Sequence, residues 1–329
     1  MTSANENILI LGAGELGTPI LRELADSRWG NRAVDISLLV RPPTLATTDA
    51  QKRSELDRFR NLGVHLLPGD LVSSSVSELA ALFKDYHTVI GAVGSVSELA
   101  ALFKDYHTVI GAVGYVAGPG TQIKLAHAVL QAGVARYFPW QFGVDYTAIG
   151  RGSAQELFDE QLDVRELLAA QTRTDWVIIS TGVFTNYLFA PFFGVVDATV
   201  PAVHALGALD NTITVTTVED IGRLTAEIVH AEPRIRNQIV YTAGDTISYA
   251  QLAAIVEAAL GRPVQRHARD VEVLRAELEK DPSNAGKKYS VVFAEGKGVA
   301  WDVRETFNFE RGIPVVSARE WAMRNLKRS

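Results

Sequence analysis

Short apolar runs alternate with helix-like stretches through the first half of the chain. The run Ile8–Leu11 is apolar at every position, as expected for a strand buried on both faces of a parallel sheet. Similar runs predict further strands, at Asp35–Val40, Val64–Leu67, a repeated His-Thr-Val-Ile-Gly, Ala135–Pro139 and Trp176–Ser180. Helical spacing of apolar positions predicts helices between them, at Thr18–Asp26, Gln51–Leu62, Gly120–Ala132 and Ser153–Ala170. The alternation predicts a doubly wound α/β fold, with ligands at the carboxyl ends of its parallel strands.

The pattern loosens beyond Thr181. Two strands are predicted there, at Asn211–Val218 and Gln238–Tyr241, and two helices, at Tyr249–Leu260 and Val271–Glu279. We therefore expect two domains. Residues 1–182 would form the larger sheet, and residues 183–329 a smaller α/β lobe, interleaved with the first, that shapes the substrate cleft.

One segment of the chain is duplicated: Ser75–Gly94 recurs without a difference as Ser95–Gly114. Each copy predicts an amphipathic helix followed by a strand, which is one step of a doubly wound sheet. We expect one copy to fill the sheet and the other to add a helix and a strand or to be extruded. The second copy is favoured for the sheet because it runs directly into Tyr115-Val-Ala-Gly-Pro-Gly. We interpret the repeat as a recent tandem duplication or an artefact, not as an acquired function.

A glycine motif follows the first strand and begins the first helix. Gly12, Gly14 and Gly17 have the spacing G-x-G-x-x-G, with Glu15 and Leu16 between the last two. In this context the glycines make a tight turn, admit a pyrophosphate and seat the helix against the sheet, which predicts a Rossmann dinucleotide-binding domain.

Arg41 ends the second strand, where an NAD-preferring site would place a carboxylate. A guanidinium can form a bidentate pair with a 2′-phosphate, so Arg41 favours NADP(H) as the cofactor. The alternative is a solvated arginine that caps the strand end.

Composition excludes several classes of protein. The chain has 329 residues, a net charge of −6 and no cysteine. The negative charge, with no basic stripe, argues against nucleic acid as a ligand, and the missing cysteines exclude disulfides, thiolate nucleophiles and Cys–zinc sites. The histidines show no metal-binding spacing, so no metal is expected. No apolar run approaches membrane-spanning length and no signal segment is seen, so we expect a cytoplasmic protein that does not bind membranes.

Three segments resemble one protein family. Residues 135–145 (Ala-Arg-Tyr-Phe-Pro-Trp-Gln-Phe-Gly-Val-Asp) resemble the R-F-x-P-S-E-F-G-x-D block of the isoflavone reductase-like branch of the NmrA-like family, which are atypical extended short-chain dehydrogenases. Residues 158–165 resemble its F-x-x-K-x-x-[VI]-R helix, and residues 181–187 the loop over its nicotinamide.

The resemblance implies an NADPH-dependent reductase of aromatic, phenylpropanoid-like or isoflavone-like compounds. Hydride would pass to a carbonyl, a conjugated alkene or a benzylic ether held between the Phe142–Tyr146 and Thr181–Tyr187 loops. By matching position, it assigns further cofactor contacts to Asp70, Gly114, Gln122, Pro139, Phe142, Thr181 and Phe184. The small aromatic substrate is the expected partner, and the protein is expected to be a monomer or a homodimer.

The chain departs from the family at two charged positions. Gln161 stands where the family has its catalytic lysine, and Gln141 where it has a glutamate. We hypothesise that the two changes remove a mutually compensating pair. Glutamine can hold or polarise an oxygen but cannot deliver a proton.

Helical spacing places Gln161 on an apolar stripe, as either a satisfied core glutamine or a substrate-facing one. If a proton donor is needed, Tyr146 is the first candidate, followed by Tyr187 and Asp145. Because Gln161 leaves the chemistry open, two other functions remain: an NADP(H)-binding regulator or redox sensor, and a non-redox isomerase or lyase.

Overall fold

The computed structural model describes residues 6–26, 34–69, 96–114 and 118–326. Its strands are β1 Glu6–Leu11, β2 Val34–Val40, β3 His65–Pro68, β4 Thr108–Gly111, β5 Arg136–Phe138, β6 Asp175–Ser180, β7 Val183–Phe184, β8 Val196–Asp197, β9 Ala202–Leu206, β10 Thr212–Thr216, β11 Gln238–Tyr241, β12 Asp245–Ser248 and β13 Gln265–Arg269. Its helices are α1 Gly17–Leu24, α2 Pro42–Leu45, α3 Ala50–Asn61, α4 Val96–Phe103, α5 Thr121–Ala132, α6 Tyr146–Ile149, α7 Leu157–Ala169, α8 Thr185–Leu188, α9 Val218–Val229, α10 Tyr249–Leu260, α11 Val271–Glu279, α12 Ala285–Glu295, α13 Phe307–Glu310 and α14 Ala318–Asn325, with 3-10 turns at Pro191–Phe193 and Val303–Glu305.

Seven strands form the main sheet, in the order β3-β2-β1-β4-β5-β6-β11. In that order, each strand from β3 to β6 pairs in parallel with its neighbour. The chain winds outward from β1 to β3 and then returns to the other side of β1 with β4. The predicted doubly wound fold is confirmed, and its strand order reverses between β1 and β4, which is where such sheets bind ligands.

The second copy of the duplicated segment supplies α4 and β4. Leu99, Leu102 and Phe103 are at most 2% exposed and belong to one core cluster with Leu9 and Val129. β4 pairs with β1 on one side and β5 on the other. The predicted place of the second copy in the sheet is therefore confirmed. The first copy and Asp70 lie outside the described residues.

One predicted helix begins later than its apolar pattern suggested. The helix predicted from Ser153 begins at Leu157 as α7. Gly152 has a φ of +70°, a left-handed conformation that a right-handed helix cannot include, and its N–H donates to the Asp159 carboxylate at 3.1 Å. The chain therefore turns at Gly152 before the helix starts.

The chain divides into two compact units. The first consists of Met1–Trp140, Asp163–Ile178 and Thr225–Gln238, and the second of Gln141–Leu162, Ile179–Leu224 and Ile239–Ser329. Each unit is thus assembled from three separate stretches of chain. A cut at 182/183 would separate stretches that belong to one unit.

Two small sheets belong to the second unit. In one, β10 pairs antiparallel with β12 and parallel with β7. In the other, β9 lies between β8 and β13. The first sheet fixes the loop before β7, because a Cβ on Gly182, whose φ is +71°, would lie 2.2 Å from the Thr214 carbonyl oxygen.

Candidate functional site

Each glycine of the turn after β1 meets a different steric demand. Gly12 has a φ of +99°, in the left-handed region that favours glycine. A Cβ on Gly17 would lie 2.0 Å from the Gly12 carbonyl oxygen, so α1 can approach the turn only at a glycine. A Cβ on Gly14 would meet no atom within 4 Å and would fill open space. This turn leaves room for a ligand to reach the backbone, and it fits the pyrophosphate of a dinucleotide.

The N-terminus of α1 lies beside that open space. Leu16 holds the N-cap position and makes no side-chain hydrogen bond, and the first turn contains no acidic residue. Leu16 is buried and Glu15 is exposed. Because the N-cap side chain makes no hydrogen bond to the backbone N–H groups of the first turn, the positive end of the helix dipole is available to an anion.

Arg41 follows β2 directly and is exposed. Its carbonyl oxygen accepts from the N–H groups of Thr44 and Leu45, so its backbone forms the start of α2. Within the part of the chain that the structure describes, no side chain pairs with its guanidinium. The structure therefore fixes the backbone of Arg41 and leaves its charged group available.

Three predicted cofactor residues lie in the segments that follow β4 and β5. A Cβ on Gly114 would lie 2.9 Å from the Trp140 indole, so the close contact requires glycine. Gln122 is 3% exposed and its Nε2 donates to the Val113 carbonyl oxygen at 2.8 Å. Pro139 is buried immediately after β5. Gln122 thus holds the segment that follows β4.

The two loops predicted to flank the substrate form one hydrogen-bonded structure in the second unit. The N–H groups of Thr181 and Gly182 both donate to the Gly143 carbonyl oxygen, at 2.9 and 3.0 Å. The Thr216 hydroxyl donates to the Thr181 carbonyl oxygen at 2.6 Å. Phe142 and Thr181 are buried, with exposures of 2% and 0%. Their side chains support the loops from within.

Asp145 anchors the end of the first loop. Its carboxylate caps α6 by accepting from the N–H groups of Thr147 and Ala148, and it also accepts from the Tyr241 hydroxyl at 2.8 Å. Its own N–H donates to the Gly298 carbonyl oxygen at 2.8 Å. These contacts give Asp145 a structural role, which accounts for its position without proton transfer.

The two tyrosine candidates differ in depth. Tyr146 is 2% exposed, its hydroxyl lies 2.7 Å from where a Cβ on Gly143 would be, and its ring meets Phe158 edge-on at 4.9 Å. Tyr187 is half-buried, and its ring centroid lies 5.3 Å from that of the half-buried Phe184. The rings of Tyr187 and Phe184 are therefore more accessible than the ring of Tyr146.

Gln161 is completely buried, and no described residue forms a hydrogen bond with its side-chain amide. Its exposure is 0%, and neither Oε1 nor Nε2 finds a partner among the described residues. Its carbonyl oxygen accepts from Nε2 of Gln141 at 2.9 Å. The structure thus brings Gln141 and Gln161 into contact. The described residues therefore leave the side-chain amide of Gln161 unsatisfied.

Sequence reasoning missed Tyr289, on α12. Its ring contacts Phe158 edge-on, with centroids 5.8 Å apart, and Phe158 also contacts Tyr146. Burial, and then the nearby phenols of Tyr146 and Tyr187, raise the pKa of Tyr289 above its ordinary value. The apolar spacing of Tyr289, Val292 and Phe293, after the N-cap Asn284, is the signal that could have revealed α12.

Comparison with known proteins gives relatives over the whole chain. An NmrA-like family domain-containing oxidoreductase of Gibberella moniliformis is 43% identical over 319 residues, covering 96% of this chain and 97% of its own. Phenylcoumaran benzylic ether reductase 1 of Arabidopsis thaliana is 28% identical, covering 94% and 93%. The structure of leucoanthocyanidin reductase in binary complex with NADPH, from Vitis vinifera, superposes with a TM-score of 0.72 at 18% identity, covering 96% and 98%.

In the described ranges, no helix is long and apolar enough to cross a membrane.

The sequence model described as NmrA-like family matches residues 4–299, and the relatives named above are oxidoreductases or reductases. The glycine turn, the strand order and these matches agree, and the chain belongs to the NmrA-like family.

Proposed function

We propose that the protein is an NADP(H)-dependent reductase of a small aromatic compound. The observation that carries the proposal is the open space at Gly14 beside the uncapped N-terminus of α1. Backbone donors there would hold the cofactor's pyrophosphate, and Arg41 would hold a 2′-phosphate. When bound, NADPH supplies a hydride; the protein binds, orients and polarises.

The substrate side of the proposal rests on Gln161. A buried amide without partners costs about 1–3 kcal/mol for each unsatisfied group, so its retention suits a ligand oxygen that bonds to it. Phe184 and Tyr187 are half-buried and offer partly exposed aromatic surface in the same unit for a flat ring. Because an amide cannot supply a proton, a tyrosine hydroxyl would donate it, with Tyr146 and Tyr187 as candidates.

The test is NADPH oxidation with a panel of aromatic ketones, aldehydes and enones. We expect turnover with at least one class, and a preference for NADPH over NADH. Tight binding of NADP(H) without turnover of any compound would overturn the reductase.

Tight binding of NADP(H) without turnover would instead favour an NADP(H)-binding regulator. Gln161 is the observation that supports it, because the position holds no ionisable group. A third outcome, product formation without net consumption of NADPH, would indicate an isomerase or lyase.

A further inference from the structure

Tyr289 is a phenol that the proposed function does not use. It lies on α12 and is half-buried. No hydrogen-bond partner for its hydroxyl occurs in residues 6–26, 34–69, 96–114 or 118–326. We propose that Tyr289 determines specificity by donating a hydrogen bond to the oxygen of an aromatic carbonyl substrate. The inference rests on the proposed function and deepens it.

Ring contacts place Tyr289 against the part of α7 that carries Gln161. Phe158 contacts Tyr289 at 5.8 Å and Tyr146 at 4.9 Å, both edge-on. Phe158 and Gln161 are three residues apart on α7, so they share one face of the helix. Tyr289 therefore packs on the helix face where the unpaired amide lies.

The aromatic surroundings extend along α12. Phe293, one turn further on, lies 6.5 Å from Tyr289 and meets Phe193 edge-on at 5.5 Å. Tyr289 and Phe193 are half-buried, so their rings offer aromatic surface against which a flat ligand ring could pack. A ligand held by these rings would have its polar atoms satisfied by the phenol and the amide.

The chemistry of the phenol selects the ligand. A phenol is already protonated at neutral pH, and burial raises the pKa of Tyr289 further, so its hydroxyl acts as a donor. The Gln161 amide adds one more donor and one acceptor. A carbonyl oxygen, with two lone pairs, could accept from both residues, whereas a hydrocarbon of the same shape would leave both unsatisfied.

The experiment compares two ligands of similar shape, chalcone and its hydrocarbon analogue 1,3-diphenylpropene, without NADPH. Their dissociation constants are measured by tryptophan fluorescence quenching for the unmodified protein and for Tyr289→Phe. We expect the unmodified protein to prefer chalcone by about tenfold, and Tyr289→Phe to lose most of this preference through weaker chalcone binding. Binding of the hydrocarbon should not change, because the ring is kept.

Tyr249→Phe is the matched control. Tyr249 on α10 is 0% exposed and its hydroxyl has no partner among the described residues, so removing that hydroxyl should leave the preference for chalcone intact. An unchanged preference in Tyr289→Phe, or no preference in the unmodified protein, would overturn the inference. Neither result bears on NADPH oxidation, which tests the reductase separately.

Discussion

The side-chain amide of Gln161 forms no hydrogen bond in the described part of the protein. Burying these unsatisfied polar atoms lowers the stability of the fold. A leucine there would fill a similar volume without burying polar atoms. We expect Gln161→Leu to raise the free energy of unfolding by about 1–3 kcal/mol, measured in urea, while weakening the binding of chalcone. Such a trade of stability for binding is common at functional sites.

Gln122→Leu is the control for that substitution. Gln122 is also buried, but its amide donates to the Val113 carbonyl oxygen. Its replacement should lower the free energy of unfolding by about 1 kcal/mol or more. If both variants are destabilised alike, then the Gln161 amide has a partner in the protein and the interpretation fails.

Arg41 allows a second test at the scale of a residue. In Arg41→Glu the 2′-phosphate would lose a charge-assisted bond and meet a like charge. We expect NADPH affinity to fall by about ten- to a hundredfold, with NADH affinity changed much less. Titrations of both cofactors measure this, and Arg319→Glu repeats the same charge change at an exposed site on α14. Equal losses for NADPH and NADH would refute the role of Arg41.

At the scale of an element, the segment α4–β4 shows what one copy of a repeat contributes. Leu99 on α4 is 0% exposed, whereas Leu62, just after α3, is 46% exposed. We expect Leu99→Ala to lower the free energy of unfolding by about 2–5 kcal/mol, and Leu62→Ala to change it by at most about 0.5 kcal/mol. Urea unfolding measures both. A small effect of Leu99→Ala would mean that the other copy can take its place.

Elements with strong periodicity could be predicted from the sequence, and interactions between elements could not. The run Ile8–Leu11 and the glycine spacing fix β1, α1 and the turn by local rules alone. α12 was missed because Lys287 and Lys288 interrupt its apolar stripe. The spacing of α7 predicts that Gln161 faces inward, but the lack of a partner depends on packing in three dimensions. For the same reason, no local pattern reveals the contact between Phe158 and Tyr289.

A cluster of charges joins distant parts of the first unit. Glu6 on β1 accepts from the Thr108 hydroxyl at 2.8 Å and lies 2.9 Å from both Arg234 and His107. Burial of the Glu6 carboxylate raises its pKa, but the Thr108 hydrogen bond and the charges of Arg234 and His107 outweigh it. The net result is a pKa below the ordinary 4.5.

A lowered pKa stabilises the folded state above pH 4.5, and this stabilisation is lost as the pH falls through the lowered value. We expect Glu6→Gln to cost about 1.5–3 kcal/mol at neutral pH and to make the acid limb of the stability curve shallower. Urea unfolding between neutral pH and pH 3 checks this. The control is Glu55→Gln. The Glu55 carboxylate lies 3.8 Å from Arg22 at the surface, and its removal should leave the acid limb of the stability curve unchanged. An equally steep limb in Glu6→Gln would contradict the assignment.

The assembly of the first unit from three stretches of chain has a consequence for synthesis on the ribosome. Burial lowers the pKa of Arg136 to about 10, so its guanidinium is charged at neutral pH, and it donates to the carbonyl oxygens of Ile228, Val229 and Ile235. Those acceptors are made about a hundred residues after Arg136. The first unit therefore cannot reach its final state until residue 238 has left the exit tunnel, by which time much of the second unit has also emerged. Each nascent chain must hold an incomplete first unit for that interval.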